Sequence, residues 1–381
     1  MRRRRQSHYN IIRRQYSLRN GIIDLGAALS QMTSRIRFAI DIGGTFTDLV
    51  AFDAETGRIK IAKALTTPHD PAIGVLDAVR AVNGIDLDLQ RGEIFGLVGE
   101  TGCGKTVTGL SLLGLVPPPG RVTASRLTLN GDDLLSVADW NRIRGRRVAM
   151  IFQDPAASLN PTFNIGSQLT RVIRQHHRVN DAESRSRAVQ WLDHVGLPEA
   201  GRLMRAYPHE LSGGMQQRAM IALALASGAQ LLIADEPTTA LDVTIQAQIL
   251  RLLRRLRDQD GLTILLITHD LGVVAQTCDR VAVLYAGTIA ETARTADLFR
   301  SPKHPYTQGL LAALPRPGSR GQPLAAIEGS VPSGLQLISG CPFSPRCRHV
   351  FDRCRVERPI LKEVAPGHTV ACHLYDTPNH A

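Results

Sequence analysis

A glycine-rich stretch in the first third of the chain has the composition of a loop that holds phosphate. Residues 99–106 read GETGCGKT, follow a short apolar strand and precede an amphipathic helix predicted to run to about Leu115. Glycine lets backbone N–H groups approach an anion, and the N-terminus of the helix adds the positive end of its dipole. In this context the pattern predicts that Lys105 reaches the β- and γ-phosphates of a nucleotide and that Thr106 binds Mg²⁺.

Two carboxylates end a second apolar strand further along the chain. The stretch AQLLIADEPTTALD contains a predicted buried strand at 231–234, followed by Asp235 and Glu236. A carboxylate at the carboxyl end of a core strand lies where open α/β sheets bind their ligands. We therefore expect Asp235 to serve magnesium, directly or through water, and Glu236 to polarise an attacking water as a general base.

Two more polar residues follow predicted strands. Gln153 follows the strand in VAMIFQDP, and His269 ends the strand in LTILLITHD. A lone histidine at a strand end is most often structural, and each residue by itself indicates little. Together with the phosphate loop and the carboxylates, Gln153 is predicted to meet magnesium and water, and His269 to sense the γ-phosphate.

The stretch LSGGMQQR, residues 211–218, has the features of a second anion site. Its Ser-Gly-Gly opens a predicted helix, so unencumbered N–H groups and a positive helix end face outward. With this stretch in place, the chain from about residue 78 resembles the ATP-binding subunits of ABC transporters, and every motif of that cassette occurs in the expected order.

The resemblance implies a role for each motif. Two ATP molecules with Mg²⁺ would lie between two subunits in a head-to-tail dimer, with the LSGG residues of one subunit reaching the γ-phosphate held by the other. The catalytic residues would be Glu236, His269 and Gln153. The nucleotide-binding residues would be Gly99, Glu100, Thr101, Gly102, Cys103, Gly104, Lys105, Thr106, Val107, Asp235, Ser212, Gly213, Gly214 and Asp242. The magnesium ligands would be Thr106, Gln153 and Asp235.

The resemblance also implies the fold. We expect an α/β P-loop NTPase with a RecA-like core, an antiparallel β subdomain, a helical signature subdomain at about 160–225 and a small C-terminal appendage that carries cysteines. The predicted domains are a disordered basic extension at 1–33, a foreign fragment at 34–77, the ABC ATPase domain at 78–300 and a C-terminal region at 301–381.

The C-terminal sequence indicates the branch of the family. SPKHPYTQGLLAALP, SGCPFSPRCRHVFDRC and GHTVACHLY are similar to the C-terminal region of the oligopeptide and dipeptide importer ATPases, and the resemblance spans about 78–375. It implies a subunit that hydrolyses ATP to energise import of di- or oligopeptides or a related small solute. Its partners would be a second ATPase subunit, two membrane permeases and an extracytoplasmic solute-binding protein, and it would lie peripherally on the cytoplasmic face of the membrane.

Four cysteines lie close together near the C-terminus. Cys341, Cys347, Cys354 and Cys372 have the spacing C-x₅-C-x₆-C-x₁₇-C. Four thiolates suit zinc or a four-iron cluster, and the spacing alone does not choose between these and metal-free thiols. The importer resemblance favours [4Fe-4S], with zinc as the alternative. The two isolated cysteines, at 103 and 278, are interpreted as small packed residues, with Cys103 also a candidate for oxidation.

A second phosphate-like stretch, DIGGTFTD at 41–48, belongs to a different family. Residues 34–77 resemble the N-terminus of the hydantoinase/oxoprolinase family and predict three strands, but the rest of that fold is missing. We interpret the fragment as structural filler or a fusion remnant. It stands where importer ATPases carry an adenine-stacking aromatic residue, and no Tyr or Trp lies between Arg35 and Arg91.

The charge distribution argues against a nucleic-acid partner. The net charge is +11, but residues 1–31 hold seven arginines against one acid, Asp24, so this segment carries +6 of it. We interpret the segment as a disordered extension or as sequence upstream of a start at Met32, with organellar targeting and nucleic-acid contact as the alternatives. No stretch reaches the roughly 18 uncharged apolar residues of a membrane-spanning helix.

Other functions fit the sequence less well. Soluble ABC ATPases of translation normally carry two cassettes and those of DNA repair carry long coiled-coil insertions, whereas this sequence has one cassette and no such insertion. A hydantoin- or oxoproline-cleaving enzyme would need the rest of that fold. The remaining alternative is a defective fusion product, or a wrongly assigned start, with impaired nucleotide binding.

Overall fold

The computed structural model describes five strands within residues 18–65 by their backbone, and then residues 82, 84–117, 120–137, 139–239, 241–314, 327–331 and 338–376. The chain divides into two compact units. One unit comprises residues 1–81 with 116–123 and 332–337, and the other comprises the remaining residues.

The first unit contains one antiparallel sheet. Its strands are β1 (Leu18–Arg19), β2 (Ile22–Asp24), β3 (Ile36–Ile42), β4 (Phe46–Asp53) and β5 (Ile59–Leu65), in that spatial order. The three strands predicted for the hydantoinase-like fragment are confirmed as β3 to β5. β1 and β2 lie within the segment predicted to be disordered, and the remainder of that segment falls outside the described residues.

The second unit is built on a mixed sheet of eight strands. These strands are β6 (Ile94–Val98), β9 (Val148–Ile151), β10 (Leu231–Asp235), β11 (Thr263–Thr268), β12 (Arg280–Tyr285), β13 (Thr288–Arg294), β14 (Lys362–Ala365) and β15 (His368–Val370). Their spatial order is β14-β15-β13-β12-β6-β11-β10-β9. A separate two-stranded hairpin pairs β7 (Thr128–Leu129) with β8 (Asp132–Asp133).

The five strands from β12 to β9 in this order run parallel and form the core of the sheet. β6 and β11 are buried along their whole length, as expected for apolar strands covered on both faces. Val98 lies opposite Thr268, and Asp235 lies opposite Ile267. This register brings the carboxyl ends of β6, β10 and β11 to one edge of the sheet.

Eleven α-helices are described in this unit. They are α1 (Lys105–Leu112), α2 (Pro155–Ser158), α3 (Ile165–His176), α4 (Asp181–His194), α5 (Ala200–Leu203), α6 (Gly213–Leu225), α7 (Val243–Asp260), α8 (Leu271–Thr277), α9 (Thr295–Arg300), α10 (Pro305–Ala312) and α11 (Asp352–Val356). Asparagine, serine and aspartate side chains at 164, 180, 212, 242 and 270 accept N–H hydrogen bonds at the starts of five of them. Four of the helices, α3 to α6, occupy the segment predicted to be the helical signature subdomain.

One prediction about the fold needs correction, and another is not confirmed. α1 ends at Leu112, three residues before the predicted end, because Gly114 adopts a left-handed φ of 59° that no helix can continue through. The small C-terminal appendage that was expected to carry cysteines is not confirmed. β15 pairs antiparallel with β13, so part of the C-terminal region extends the main sheet.

Candidate functional site

The phosphate-loop sequence connects β6 to α1 with a backbone that depends on glycine. Gly102 and Gly104 have φ values of 85° and 106°, in the left-handed region that favours glycine. A Cβ atom on Gly99 would lie 2.2 Å from the carbonyl oxygen of Leu284 in β12. The loop therefore passes too close to the neighbouring strand for any side chain at this position.

Lys105 and Thr106, at the start of α1, point back into the site. Lys105 is 5% exposed, and its Nζ donates to the carbonyl oxygens of Gly99 at 2.8 Å and Glu100 at 3.2 Å. The Thr106 hydroxyl donates to Asp235 Oδ1 at 3.2 Å. Two of the residues predicted to share a magnesium ion thus face each other across the edge of the sheet.

The Glu236 carboxylate contacts the other two predicted catalytic residues. Its Oε2 accepts hydrogen bonds from Gln153 Nε2 at 3.2 Å and from Thr239 Oγ1 at 2.8 Å, and its Oε1 lies 3.1 Å from His269 Nδ1. Residues that end or follow β9, β10 and β11 are therefore gathered around one carboxylate.

The two adjacent carboxylates have pKa values shifted in opposite directions. Burial raises the pKa of Asp235, although the hydrogen bond from Thr106 acts against this. Burial also acts to raise the pKa of Glu236, but hydrogen bonds from His269 and Thr239, together with the charges of Lys105 and of His269 in its protonated form, outweigh it, and the pKa is lowered. Glu236 is thus kept ionised, which is the form that accepts a proton.

The residues of the LSGG stretch are held at the start of α6. The Ser212 hydroxyl caps the helix by accepting from Met215 N at 3.4 Å. Asp242 caps α7 in the same way, accepting from Ile245 N at 2.9 Å. A Cβ on Gly214 would lie 2.7 Å from Ile245 Cγ2, so the two helix starts pack closely against each other. The LSGG stretch and Asp242, which were both predicted to bind nucleotide, therefore lie on two helix starts that pack against each other.

Three further residues surround the phosphate loop and were not predicted from the sequence. The Tyr306 hydroxyl accepts a hydrogen bond from Glu100 N at 3.0 Å, and Arg346 binds the Glu100 carboxylate. Tyr285 lies beside Arg346, with its hydroxyl 3.4 Å from Nη1. No spacing or periodicity in the sequence indicated these residues, because they lie about 180 residues or more from the loop.

The four C-terminal cysteines line a single small cavity, together with His304, His349 and His373. All four are free thiols. Burial raises the pKa of Cys341 and Cys372 to about 11. Within the described residues, no three His, Cys, Asp or Glu side chains are placed to hold a metal ion. The predicted iron–sulfur or zinc site is therefore not supported by the arrangement of side chains.

Cys103 and Cys278 are buried, as predicted for packed residues. Burial raises the pKa of the Cys103 thiol, even with Lys105 nearby. Because the thiolate is the reactive form, this environment works against the oxidation expected for Cys103.

Two further expectations from the sequence concern membrane-spanning helices and the aromatic residue that stacks on adenine. Among the described residues, no helix has the length and apolar character needed to cross a bilayer. The side chains of the N-terminal fragment, which stands where an adenine-stacking aromatic residue is expected, lie outside the described residues.

Three families match the chain. Residues 82–239 match the ABC transporter family, residues 290–354 match the oligopeptide/dipeptide transporter C-terminal region, and residues 37–107 match the hydantoinase/oxoprolinase N-terminal region. The third match extends from the N-terminal strands across the phosphate loop and so overlaps the first.

Relatives of known role align over most of their length. The dipeptide transport ATP-binding protein DppD of Escherichia coli is 46% identical over 296 residues, which are 77% of this chain and 90% of that protein. The oligopeptide transport ATP-binding protein AppD of Bacillus subtilis is 48% identical over 303 residues, 79% of this chain and 92% of that protein.

Solved structures share the fold. The protein cbiO1 of Clostridium perfringens, part of the ABC transporter complex cbiONQ, superposes with a TM-score of 0.51 at 25% identity, covering 58% of this chain and 84% of that one. A dimeric ATP-binding cassette in a post-hydrolysis state with ADP and Pi superposes with a TM-score of 0.50 at 28% identity, covering 56% of this chain and 90% of that one.

Proposed function

The chain belongs to the ATP-binding proteins of ABC transporters, and on that basis we propose that it binds and hydrolyses Mg-ATP to energise the import of dipeptides, oligopeptides or a related small solute. The family and its ATPase activity follow from the relatives, which are ATP-binding proteins of dipeptide and oligopeptide transport. The observation that carries the chemistry is the Glu236 carboxylate, which contacts Gln153 and His269 beside the phosphate loop.

In the proposed reaction, Glu236 accepts a proton from the water that attacks the γ-phosphorus. The bond from the γ-phosphorus to the bridging oxygen breaks, and ADP carries away that oxygen. Gln153 and His269 orient the carboxylate, and Lys105 offsets phosphate charge. Thr106, Asp235 and Gln153 would hold Mg²⁺, which neutralises charge that develops on the phosphate oxygens. The lowered pKa of Glu236 keeps it ready to accept the proton.

The assembly that we propose has two ATPase subunits, two permeases and an extracytoplasmic solute-binding protein, with this chain peripheral at the cytoplasmic face of the membrane. The start of α6 and Asp242 of one subunit would complete the nucleotide site of the other. The dimeric cassette with ADP and Pi supports this arrangement by its shared fold. On this assignment, residues 78–300 are the ATPase domain and 301–381 the C-terminal region.

One alternative has an observation in its favour. The match of residues 37–107 to the hydantoinase/oxoprolinase N-terminal region fits a fusion chain whose nucleotide binding is impaired. A measurement of Mg-ATP binding distinguishes the transport function from the fusion alternative directly.

The test is titration of the purified full chain with Mg-ATP. Lys105→Ala removes the buried ammonium group, and loss of its charge-assisted hydrogen bonds to phosphate should weaken binding by at least about 100-fold. Arg142→Ala is the control, because that side chain is 84% exposed and lies in another segment. If the wild-type chain binds no Mg-ATP, the fusion alternative replaces the transport function.

We also propose that the four C-terminal thiols hold a [4Fe-4S] cluster, or zinc in its place. Their convergence on one cavity supports this, and the lack of a described trio placed for a metal ion stands against it. Iron, sulfide and zinc analysis of anaerobically purified chain is the test. Stoichiometric metal that is lost in Cys347→Ser but kept in Cys278→Ser would support the site, and metal-free protein would exclude it.

A further inference from the structure

Arg346 is a buried charge from the C-terminal region that binds the phosphate loop. Its side chain is 6% exposed, and its guanidinium contacts the Glu100 carboxylate twice, Nη1 to Oε2 at 2.8 Å and Nη2 to Oε1 at 3.2 Å. Two backbone carbonyls hold the same group in place. Nε donates to Glu328 at 3.0 Å, and Nη2 donates to Ile327 at 3.2 Å. The fork of the guanidinium thus has one fixed orientation.

Glu100, the second residue of the loop, is held at each of its polar groups. Its carboxylate is bound by Arg346, its N–H donates to the Tyr306 hydroxyl at 3.0 Å, and its carbonyl accepts from Lys105 Nζ at 3.2 Å. One residue therefore links the nucleotide-binding lysine to side chains from α10 and the C-terminal region.

An aromatic cluster supports this link. The ring of Tyr285, at the end of β12, lies 4.6 Å from that of Tyr306 and 5.2 Å from that of Phe343, centroid to centroid. The Arg346 guanidinium carbon lies 5.8 Å from the Tyr285 ring centroid. Phe343 precedes the short 3₁₀ helix Ser344–Arg346 that carries the arginine. Arg346 is thus fixed on packed groups, and its contact with the loop is not that of a free surface chain.

We infer that Arg346 is a positioning residue for the phosphate loop, which acts through Glu100 to set the affinity for nucleotide. Two effects follow from the geometry. The bidentate pair fixes the backbone of a loop whose N–H groups must converge on phosphate, and it neutralises a carboxylate that would otherwise repel an anionic ligand. The inference rests on the proposed function, because the affinity concerned is that for Mg-ATP.

We expect loss of the Arg346–Glu100 pair to weaken Mg-ATP binding and to leave the rate of hydrolysis at saturation nearly unchanged. Glu236, Gln153 and His269 stand on other strands and have no described hydrogen bond to Arg346 or Glu100. Loss of the pair should therefore raise the Kd and KM for Mg-ATP by about 10- to 100-fold, while kcat at saturation stays within about threefold.

Three variants distinguish the effect of the Arg346 charge from the effect of its bidentate geometry. Arg346→Gln leaves Glu100 uncompensated and should bind most weakly. Arg346→Lys keeps the charge but loses the fork, so its Kd should be intermediate. Adding Glu100→Gln to Arg346→Gln removes the uncompensated charge, and the double variant should recover part of the affinity. Arg353→Gln is the matched control, because Arg353 makes a bidentate pair with Glu357 in the same region but is 44% exposed and has no described hydrogen bond to the loop.

The experiment is Mg-ATP titration and steady-state hydrolysis for these variants, with Lys105→Ala alongside. Increased Kd and KM in Arg346→Gln, an intermediate Arg346→Lys and wild-type values for Arg353→Gln support the inference. If Lys105→Ala loses binding while Arg346→Gln and Arg346→Lys both bind as the wild type does, the inference is wrong and the proposed function stands. If the wild-type chain itself binds no Mg-ATP, the proposed function fails first. Should Arg346→Gln not fold, Arg346→Lys decides the outcome, because a raised Kd supports the inference and a wild-type Kd overturns it.

Discussion

Glu236 has an unusual backbone conformation for a residue with a carboxylate side chain. Its φ is 47°, in the left-handed region, and its N–H donates to the Ile267 carbonyl at 2.9 Å. Non-glycine residues in this region cost free energy and are often found at functional sites. Here the turn directs the carboxylate towards Gln153 and His269 as soon as β10 ends.

Replacing Glu236 by Gln should separate binding from hydrolysis. The amide cannot accept the proton of the attacking water, so kcat should fall by about 10²- to 10⁴-fold. Mg-ATP affinity should change little, because the residue keeps its size and Lys105 remains. Phosphate release and Mg-ATP titration measure the two effects. A variant that loses affinity and rate equally would show that Glu236 acts in binding.

Replacing His269 by Ala should change the pH dependence of hydrolysis. His269 supplies a hydrogen bond and a charge that lower the pKa of Glu236 against the effect of burial, so without it the pKa rises. A general base works only when ionised, so the rate falls as pH drops through this pKa, and in the variant this fall begins at a higher pH. Rates at about pH 5.5 relative to about pH 8 test this, and an unchanged ratio would contradict it.

Sequence and structure agree best at the ends of the parallel strands. Gln153, Glu236 and His269 could be predicted because each follows an apolar strand, and parallel strands place their carboxyl ends at one edge. Arg346 could not be predicted. It lies 246 residues from Glu100 in the chain, and tertiary contacts, among them the packing of Tyr285, Tyr306 and Phe343, bring the two together.

Among the strands and loops, the phosphate loop depends on the strand beside it. β6 pairs with β12 in parallel register, with Val98 opposite Val283, and the loop leaves β6 against the carbonyl of Leu284. β12 therefore limits the backbone path at Gly99 directly. The sequence pattern explains the glycine by its ligand, whereas the structure adds a packing reason.

Gly99→Ala tests that packing reason. A new Cβ 2.2 Å from a backbone oxygen forces the loop to move, so we expect a loss of about 1–3 kcal/mol in stability and weakened Mg-ATP binding. Gly201→Ala is the control, because nothing lies within 4 Å of its Cβ position and alanine favours the helix. Chemical denaturation and Mg-ATP titration of both variants give the comparison. Wild-type stability and Mg-ATP affinity of Gly99→Ala would mean that β12 moves aside at little cost in free energy.

The C-terminal strands could not be predicted from the sequence. A Pro-, Arg- and Cys-rich segment predicts a loop-rich appendage, but β15 is three residues long and pairs with β13 through Glu291 opposite Val370 and Thr292 opposite Thr369. A strand this short carries no detectable alternation. Its place is decided by a partner strand much earlier in the chain.

Across the second unit as a whole, buried polar groups connect the C-terminal region to the sheet. Glu291 of β13 is fully buried, accepts N–H hydrogen bonds from Lys303 and His304, and lies 2.6 Å from His368 Nε2. Such a carboxylate is tolerated only when it is fully hydrogen-bonded. It fixes the start of α10 and β15 to the same strand.

His304, at this junction, predicts how stability depends on pH. Burial lowers its pKa to about 4, whereas an unfolded histidine titrates near 6.5. Between these values the unfolded state binds the extra proton, so stability falls as pH drops through this window. From about pH 7 to about pH 5, this single group should cost about 2 kcal/mol of unfolding free energy. Denaturant unfolding at the two pH values measures the loss.

The His304→Asn variant isolates the contribution of His304 to the pH dependence of the unfolding free energy. The His304 Nδ1 accepts from Tyr306 N at 3.0 Å at the start of α10, and asparagine can cap the helix in its place without titrating. The variant should lose about 2 kcal/mol less than the wild type over the same pH interval, because the other titrating groups are common to both chains. Equal losses would mean that His304 is protonated in the folded state at pH 5, which requires water to reach the junction between β13, α10 and β15.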